Sequence, residues 1–283
     1  MRTFGGIEPE YGSYENADIL LQPIIYDGTS TWGKGADNTL EAFLHASENM
    51  ELYDIETKSE VYKRGIHLLP SMTGFSSPEE MFKASYSKTQ EHLKSGKFLT
   101  FLGGEHSISI GIIKAFYEKY PDVSILQLDA HADLRPEYLG TQYNHACALY
   151  DASQNTNLVQ VGIRSMDISE VQYMNEKQCF FAHAIHQDQT WMNRAIDKLG
   201  ENVYITVDLD VFDPSELPGT GTPEPGGLSW NTITTFLSEV FKNKNVLGFD
   251  IVELAPIPGM PASEFLTSKL YYKMLSYKYH LTK

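Results

Sequence analysis

Three short segments of this chain gather side chains that can hold metal ions: Gly103-Gly104-Glu105-His106-Ser107, Asp129-Ala130-His131-Ala132-Asp133 and Asp208-Leu209-Asp210. Together His106, Asp129, His131, Asp133, Asp208 and Asp210 supply two imidazoles and four carboxylates. A single divalent ion that keeps positions open for chemistry takes three or four side chains, whereas a binuclear site shares carboxylates as bridges. Taken singly, an Asp at a strand end is commonly a turn former, and a lone His is commonly a satisfied surface or core residue. Here three separate β-forming runs finish on acceptors of the same kind. Carboxylates crowded together without cations repel one another and lose hydration. Two divalent ions remove that cost, because four positive charges meet four negative ones. The donor set reads as a binuclear metal centre.

The elements that must position these donors alternate between apolar runs and amphipathic stretches. Strands are predicted at about 17–26, 51–54, 98–102, 123–129, 158–163, 179–182, 203–209 and 246–252. Helices are predicted from Ser77-Pro78-Glu79-Glu80, a capping box with proline at the first helical position, to Gly96; from Ser107 to Tyr120; from a Ser229 cap to Lys242; and over 263–278. Alternation of this kind implies an α/β fold with a parallel sheet covered on both faces, and ligands of such sheets bind beyond the carboxyl ends of the strands. Asp129, His131 and Asp133 alternate, so an extended chain puts them on one face. A fourth strand, Val246–Val252, runs into Glu253. The long Pro- and Gly-rich stretch from Phe212 to Leu228 begins just after Asp210 and is expected to wall the same site. No repeat or linker divides the chain, so residues 1–283 are read as one domain.

The net charge of −15 argues against nucleic acid and anionic membrane surfaces as partners, and it suits a cationic small molecule. The amino-terminal residues lack the apolar core of a signal peptide, and no run is long enough to span a bilayer, so a cytoplasmic location is expected. Cys147 and Cys179 do not make a disulfide framework and read as packing residues. Gly28-Thr29-Ser30-Thr31-Trp32-Gly33-Lys34-Gly35 nearly matches a phosphate-cradling loop, but Gly35 stands where a magnesium-binding hydroxyl belongs, so nucleotide binding is set aside.

Four segments together resemble the signatures of the ureohydrolases, the family that includes arginase and agmatinase: Gly-Gly-Glu-His-Ser, Asp-Ala-His-Ala-Asp, Val207–Pro214 and Gly219-Thr220-Gly221-Thr222-Pro223-Glu224-Pro225-Gly226-Gly227. The resemblance runs from about residue 15 over most of the chain. It implies a three-layer α/β/α arginase-like fold with a mainly parallel eight-stranded sheet, assembled as a homotrimer or homohexamer. It also implies two manganese ions per subunit. One would take His106, Asp129, Asp133 and Asp208; the other would take His131 and Asp210 and share Asp129 and Asp208. The implied reaction is attack of a metal-bridging hydroxide on a guanidinium carbon, releasing urea and an amine. By the same resemblance Glu253 receives the guanidinium N–H groups and His145 passes a proton to the leaving amine.

The branch of the family is read from the loop after Asp133. Arginases carry an asparagine two residues beyond that ligand; this chain has Arg135. The segment Asn144-His145-Ala146 also departs from the common His-Gly. Both features resemble agmatinases, so agmatine, cleaved to putrescine and urea, is the expected substrate. Glu137 or Asp167 would meet its free amine. Aminopropylagmatine, guanidinobutyrate and arginine are the alternatives, since the chemistry at the metals would be unchanged. Two readings from other classes are a one-metal deacetylase-like hydrolase, opposed by the full six-donor set, and a non-catalytic scaffold, opposed by the retention of His145 and Glu253 as well.

Overall fold

The computed structural model describes residues 2–281; Met1, Thr282 and Lys283, which the expected 1–283 domain includes, lie outside them. Its strands are β1 (Ile19–Ile24), β2 (Ile66–Leu68), β3 (Phe98–Gly103), β4 (Ser124–Leu128), β5 (Asn157–Val161), β6 (Cys179–Phe180), β7 (Asn202–Asp208) and β8 (Asn245–Val252). They form one eight-stranded sheet in the order β2-β1-β3-β8-β7-β4-β5-β6, and every neighbouring pair is parallel.

Side chains alternate across the sheet and feed two apolar layers. Leu126, Leu128, Ile205 and Val207 join a core with Phe43, Phe236, Leu237, Tyr271 and Leu275. Ile125 and Tyr204 face the other way, against Met81, Ile112 and Phe116. Helices Thr39–Ser47, Trp230–Asn243 and Ala262–His280 cover the first face, and Pro78–His92 and Ile108–Lys119 cover the second. This is the expected α/β/α sandwich. Parallel strands buried on both faces read as unbroken apolar runs, which is why β3, β4, β7 and β8 were visible in the sequence.

Two local expectations need correction. The segment 51–54 is not a strand: Asp54 makes an isolated antiparallel bridge to Ser59. Its carboxylate accepts the Glu56 and Thr57 N–H groups and pairs with Lys273, so Asp54 builds a turn instead. The second strand is Ile66–Leu68, three residues on the sheet edge beside β1, too short to show a period. At the helix Pro78–His92, Ser77 Oγ accepts the Glu80 N–H as a cap should. The Glu80 carboxylate, however, turns to the N–H and hydroxyl of Ser76 rather than to the Ser77 N–H, so the capping box is shifted by one residue. Ser229 caps Trp230–Asn243 through the Thr232 N–H.

The register aligns Leu102 with Ile251, Ile251 with Val207, and Val207 with Leu128. The carboxyl ends of β3, β8, β7 and β4 therefore lie side by side, about 5 Å apart per step. The site is assembled where these four ends meet. No helix of the described residues is long and apolar enough to cross a membrane.

Candidate metal centre

His106 follows β3 and begins the turn into the helix Ile108–Lys119. Gly104 permits this path, because a Cβ there would lie 1.9 Å from the Tyr26 carbonyl oxygen. His106 Nδ1 sits 3.1 Å from Asp129 Oδ2, 3.0 Å from Asp133 Oδ2 and 3.2 Å from Asp208 Oδ2. It is buried and makes no hydrogen bond. Its other ring nitrogen, Nε2, lies 2.9 Å from Thr206 Oγ1, whose hydroxyl donates to Asp250 Oδ1 at 2.6 Å. With that proton spent, Thr206 can only accept, so Nε2 carries the imidazole hydrogen and Nδ1 presents a bare lone pair to three carboxylates. A lone pair aimed at anions is repulsive unless a cation sits between them. This orphaned nitrogen is the observation by which the donor set fits a metal ion.

A second group adjoins the first. His131 Nδ1 lies 2.8 Å from Asp210 Oδ2 and 3.7 Å from Asp129 Oδ1. The donor atoms of His106, Asp129 and Asp208 lie within 4.8 Å of one another, as do those of Asp129, His131 and Asp210. Asp129 is common to both groups. Asp208 stands in the first, and its Oδ1 accepts the Asp210 N–H at 3.0 Å. The shared position of Asp129 is fixed by Gln127 Nε2 at 2.7 Å and the His131 N–H at 2.6 Å. Gln160 Nε2 donates in turn to Gln127 Oε1 at 2.7 Å.

Burial, with Asp129 next to it, pushes the Asp133 carboxyl up to about 7. Burial also raises Asp208 well above the usual carboxylate range, with Asp210 and Asp129 adding to it. Both carboxyls are held against ionisation by the lack of compensating charge, which divalent cations would supply. Asp133 and Glu253 also hold left-handed backbone, with φ of 53° and 67°. Such geometry is costly for non-glycine residues and persists where surrounding structure enforces it.

Glu253 is buried at the end of β8. Its Oε1 already accepts the His106 N–H at 2.8 Å, and its Oε2 faces Gly221, where a Cβ would come within 3.2 Å. The carboxylate thus enters the site with one oxygen already holding a backbone N–H. Its pKa is raised by burial and by Glu105. His145 opens a short turn capped by Asn144 Oδ1, and Arg135 N–H to Ala146 O (3.1 Å) ties that turn to the segment after Asp133. Burial, reinforced by His131, pushes the His145 imidazole down to about 4.

A cavity of about 270 Å³ opens over these groups, walled by His131, Asp133, His145, Tyr138, Asp167 and Thr222. The Phe212–Leu228 stretch does wall the site: Thr222 lines it, and Glu224 Oε1 stands 3.7 Å from His131 Nε2. Arg164 pins this stretch by donating to the carbonyls of Asp210 (2.5 Å), Phe212 (3.3 Å) and Glu224 (2.9 Å). Arg135 does not reach Glu137; it lies over the Tyr138 ring at 4.3 Å, with Asp167 Oδ2 4.0 Å away. Glu137 is exposed and outside the cavity wall. His183 stacks on Phe181, and His186 Nε2 approaches the Gly226 carbonyl at 3.4 Å, so neither joins the donor groups. Cys147 and Cys179 are buried free thiols, each pushed up to about 12 chiefly by burial.

Thr206, Asp250, Gln127, Gln160 and Arg164 were not singled out from the sequence. They sit inside apolar strands or their exits, and the available signal was a polar residue where a buried strand should be apolar.

Known proteins share this sequence and fold. The model of the arginase family matches residues 17–276. The N(1)-aminopropylagmatine ureohydrolase of Synechocystis sp. is 34% identical, over 94% of this chain and 90% of its own length. The agmatinase of Halalkalibacterium halodurans is 36% identical over 86% of each chain. The crystal structure of agmatine ureohydrolase from Thermoplasma volcanium superposes with a TM-score of 0.88 at 26% identity, covering 99% of this chain and 95% of that one. A family match over residues 17–276, with relatives that share most of its length, establishes that this chain belongs to the arginase family and is a ureohydrolase, an enzyme acting on guanidine substrates.

Proposed function

We propose that the enzyme hydrolyses the guanidinium group of agmatine-type substrates, whose far end is a cationic amine, to urea and the corresponding amine. The charge of the cavity carries this reading. Arg135 is the one Lys or Arg in the cavity wall, and it is engaged by Tyr138 and Asp167. No free cation remains there to receive the α-carboxylate of an amino acid. Asp167 stays ionised, since the Ser169 hydroxyl and N–H hold its pKa down, and Glu224 stands beside His131. An ammonium tail is favoured between them.

Agmatine satisfies this arrangement. A second reading, the longer N(1)-aminopropylagmatine, is supported by the relatives of that name, which match 94% of this chain, whereas the agmatinase of Halalkalibacterium halodurans matches 86%. Both substrates present the same guanidinium group to the same donors.

In the proposed mechanism His106, Asp129, Asp133 and Asp208 would hold one divalent cation, and His131 and Asp210, sharing Asp129 and Asp208, would hold the second. An oxygen-rich set with two imidazoles suits manganese. When bound, the pair would neutralise the carboxylates and acidify a water for attack on the guanidinium carbon. The remaining work belongs to the protein. Glu253 Oε2 accepts guanidinium N–H while Oε1 stays on the His106 amide. His145, neutral at rest, takes the proton released by the attacking water and delivers it to the departing amine. The wall of Thr222, Tyr138 and Met166 limits water around the reacting carbon.

The test offers manganese-loaded protein agmatine, N(1)-aminopropylagmatine, guanidinobutyrate and arginine at equal concentration and ranks urea release by kcat/KM. The expected result is a preference of at least about 10-fold, or 1.4 kcal/mol, for the two amine-tailed substrates. A preference for guanidinobutyrate or arginine would refute the charge argument at Arg135 and Asp167. A metal content of one per subunit in the active protein would refute the two-cation assignment.

A further inference from the structure

The phosphate-loop-like stretch Gly28–Gly35 reaches the site at Thr29. β1 delivers Tyr26 alongside the Gly103-Gly104 exit of β3, where Gly104 N–H donates to Ile24 O at 3.0 Å and Glu105 N–H to Tyr26 O at 2.8 Å. This close crossing sets Thr29 against Glu105. Glu105 is fully buried and holds no metal-facing position. Its carboxylate accepts from Thr29 N–H (3.3 Å), Thr29 Oγ1 (2.8 Å), Ser107 N–H (3.0 Å) and Ser107 Oγ (2.9 Å). Thr29 Oγ1 in turn lies 3.0 Å from the His145 N–H and 3.2 Å from His145 Nδ1.

A threonine hydroxyl has one proton to give. The carboxylate of Glu105 takes it at the shortest of these contacts, so toward His145 the oxygen can only accept. Thr29 therefore receives both the backbone N–H of His145 and the hydrogen on Nδ1. That fixes the ring as the Nδ1–H tautomer and leaves Nε2 to exchange protons with whatever occupies the cavity. The Nδ1–H bond is the same in the neutral ring and in the imidazolium, so His145 gains and loses a proton without turning.

We infer that Thr29, oriented by Glu105, is a positioning residue for His145: it selects the tautomer and aims Nε2 for proton transfer in guanidine hydrolysis. The inference rests on the role given above to His145. It assigns a task to Thr29 and to the Glu105 of the Gly-Gly-Glu-His-Ser segment, and it predicts that neither touches substrate.

The experiment compares T29V, T29S, H145A and the double variant T29V/H145A, each manganese-loaded and checked for two metals per subunit. T29V is expected to lower kcat by about 10- to 100-fold, a part of what a well-placed proton carrier contributes, with KM nearly unchanged. T29S, which keeps the hydroxyl, is expected to recover most of that loss. The double variant is expected to be no slower than H145A, since a positioning residue has nothing left to position. Independently of turnover, the 15N spectrum of the histidine rings, with His145 identified by its absence in H145A, is expected to show Nδ1–H in the wild type and a mixed tautomer in T29V. The inference is overturned if T29V slows H145A by the same factor as the wild type, if T29S is as slow as T29V, or if the His145 tautomer is unchanged in T29V. H145A turning over at the wild-type rate is a separate outcome: it refutes the role of His145 itself and takes this inference with it.

Discussion

Replacing Thr206 by valine tests whether the imidazole tautomer at His106 is what makes the first metal position. The structure gives Thr206 Oγ1 two duties: it accepts His106 Nε2–H at 2.9 Å and donates to Asp250 at 2.6 Å. Asp250 keeps two other donors in T206V, Tyr204 Oη at 2.7 Å and Ser109 Oγ at 3.1 Å, so its buried charge is not abandoned. His106 loses its only acceptor for Nε2–H. The proton then has a better home on Nδ1, where three carboxylate oxygens lie at 3.0–3.2 Å. The metal-free protein gains a hydrogen bond there that offsets the one lost, so its melting temperature should move by only a few degrees. A metal ion must now displace that proton. Outer-shell partners of metal-bound histidine are worth about 10- to 100-fold in affinity, or ~1.4–2.7 kcal/mol. Manganese titration against a competing chelator should therefore show one of two sites weakened by that factor and the other, at His131 and Asp210, little changed. T206S should restore the lost affinity. Two sites of wild-type affinity in T206V, or a T206S variant as weak as T206V, would refute the tautomer argument.

Two further outcomes follow from the buried ionisable groups. Asp133 has its carboxyl pushed up to about 7 by burial and by Asp129, so in metal-free protein its ionisation opposes folding; that destabilisation is absent below about pH 4 and complete above about pH 7. D133N suits the left-handed φ of 53° and should raise the stability of chelator-stripped protein at pH 8 by up to about 4 kcal/mol, with no gain at pH 4, while abolishing urea release; equal urea-denaturation midpoints at pH 8 would count against it. His145 is pushed the other way, down to about 4 by burial and then by His131, so its contribution to stability is present above about pH 6.5 and is lost as the pH falls to about 4. Wild-type protein should lose up to about 3 kcal/mol more than H145Q between pH 7 and 4, and parallel acid profiles for the two would refute the assignment.

What the sequence showed and what it hid divide along physical lines. β3, β4, β7 and β8 are central, buried on both faces and written as apolar runs, and each hands over to its site residues within a few positions. The edge strand β2 carries no such pattern. Ile66–Leu68 is too short to show one, and the apolar Leu52 and Tyr53 imitate a strand where Asp54 instead makes a turn. At the site, residues whose own chemistry touches the centre were legible because their types are expensive to cluster. Their supports were not, because a threonine or glutamine within a strand has no distinctive spacing. Thr206 becomes informative only when His106 is seen 2.9 Å away, and Thr29 only when β1 is known to run beside β3.

The supports also explain how so many acids can be gathered without wrecking the fold. Asp129 is held by Gln127 and by the His131 amide, Asp210 by the Ala130 amide at 2.9 Å, Asp208 by the Asp210 amide, and Glu253 by the His106 amide. Each carboxylate thus gives at least one oxygen to a fixed N–H donor, and Asp208 and Asp210 turn the other to the Nδ1 of His106 and His131. Asp133 lacks such a donor among the hydrogen bonds of the described residues and faces the site through Oδ2 alone. It is also the aspartate on left-handed backbone. Its position therefore depends more than the others on the cation it would hold. Asp133, with no such donor, is the acid whose placement the ion itself would fix. Order around residues 133–135 should consequently be the first to fall when metal is removed. Because Arg135 N–H and Leu149 N–H bond across to Ala146 and Asp133, that loss would reach His145 on the facing turn. Hydrogen exchange of the Arg135 and Leu149 amides, slow with manganese and faster after chelation while the β4 amides stay protected, is the expected signature. Uniform acceleration across β4 and this loop would mean instead that the metal stabilises the sheet as a whole.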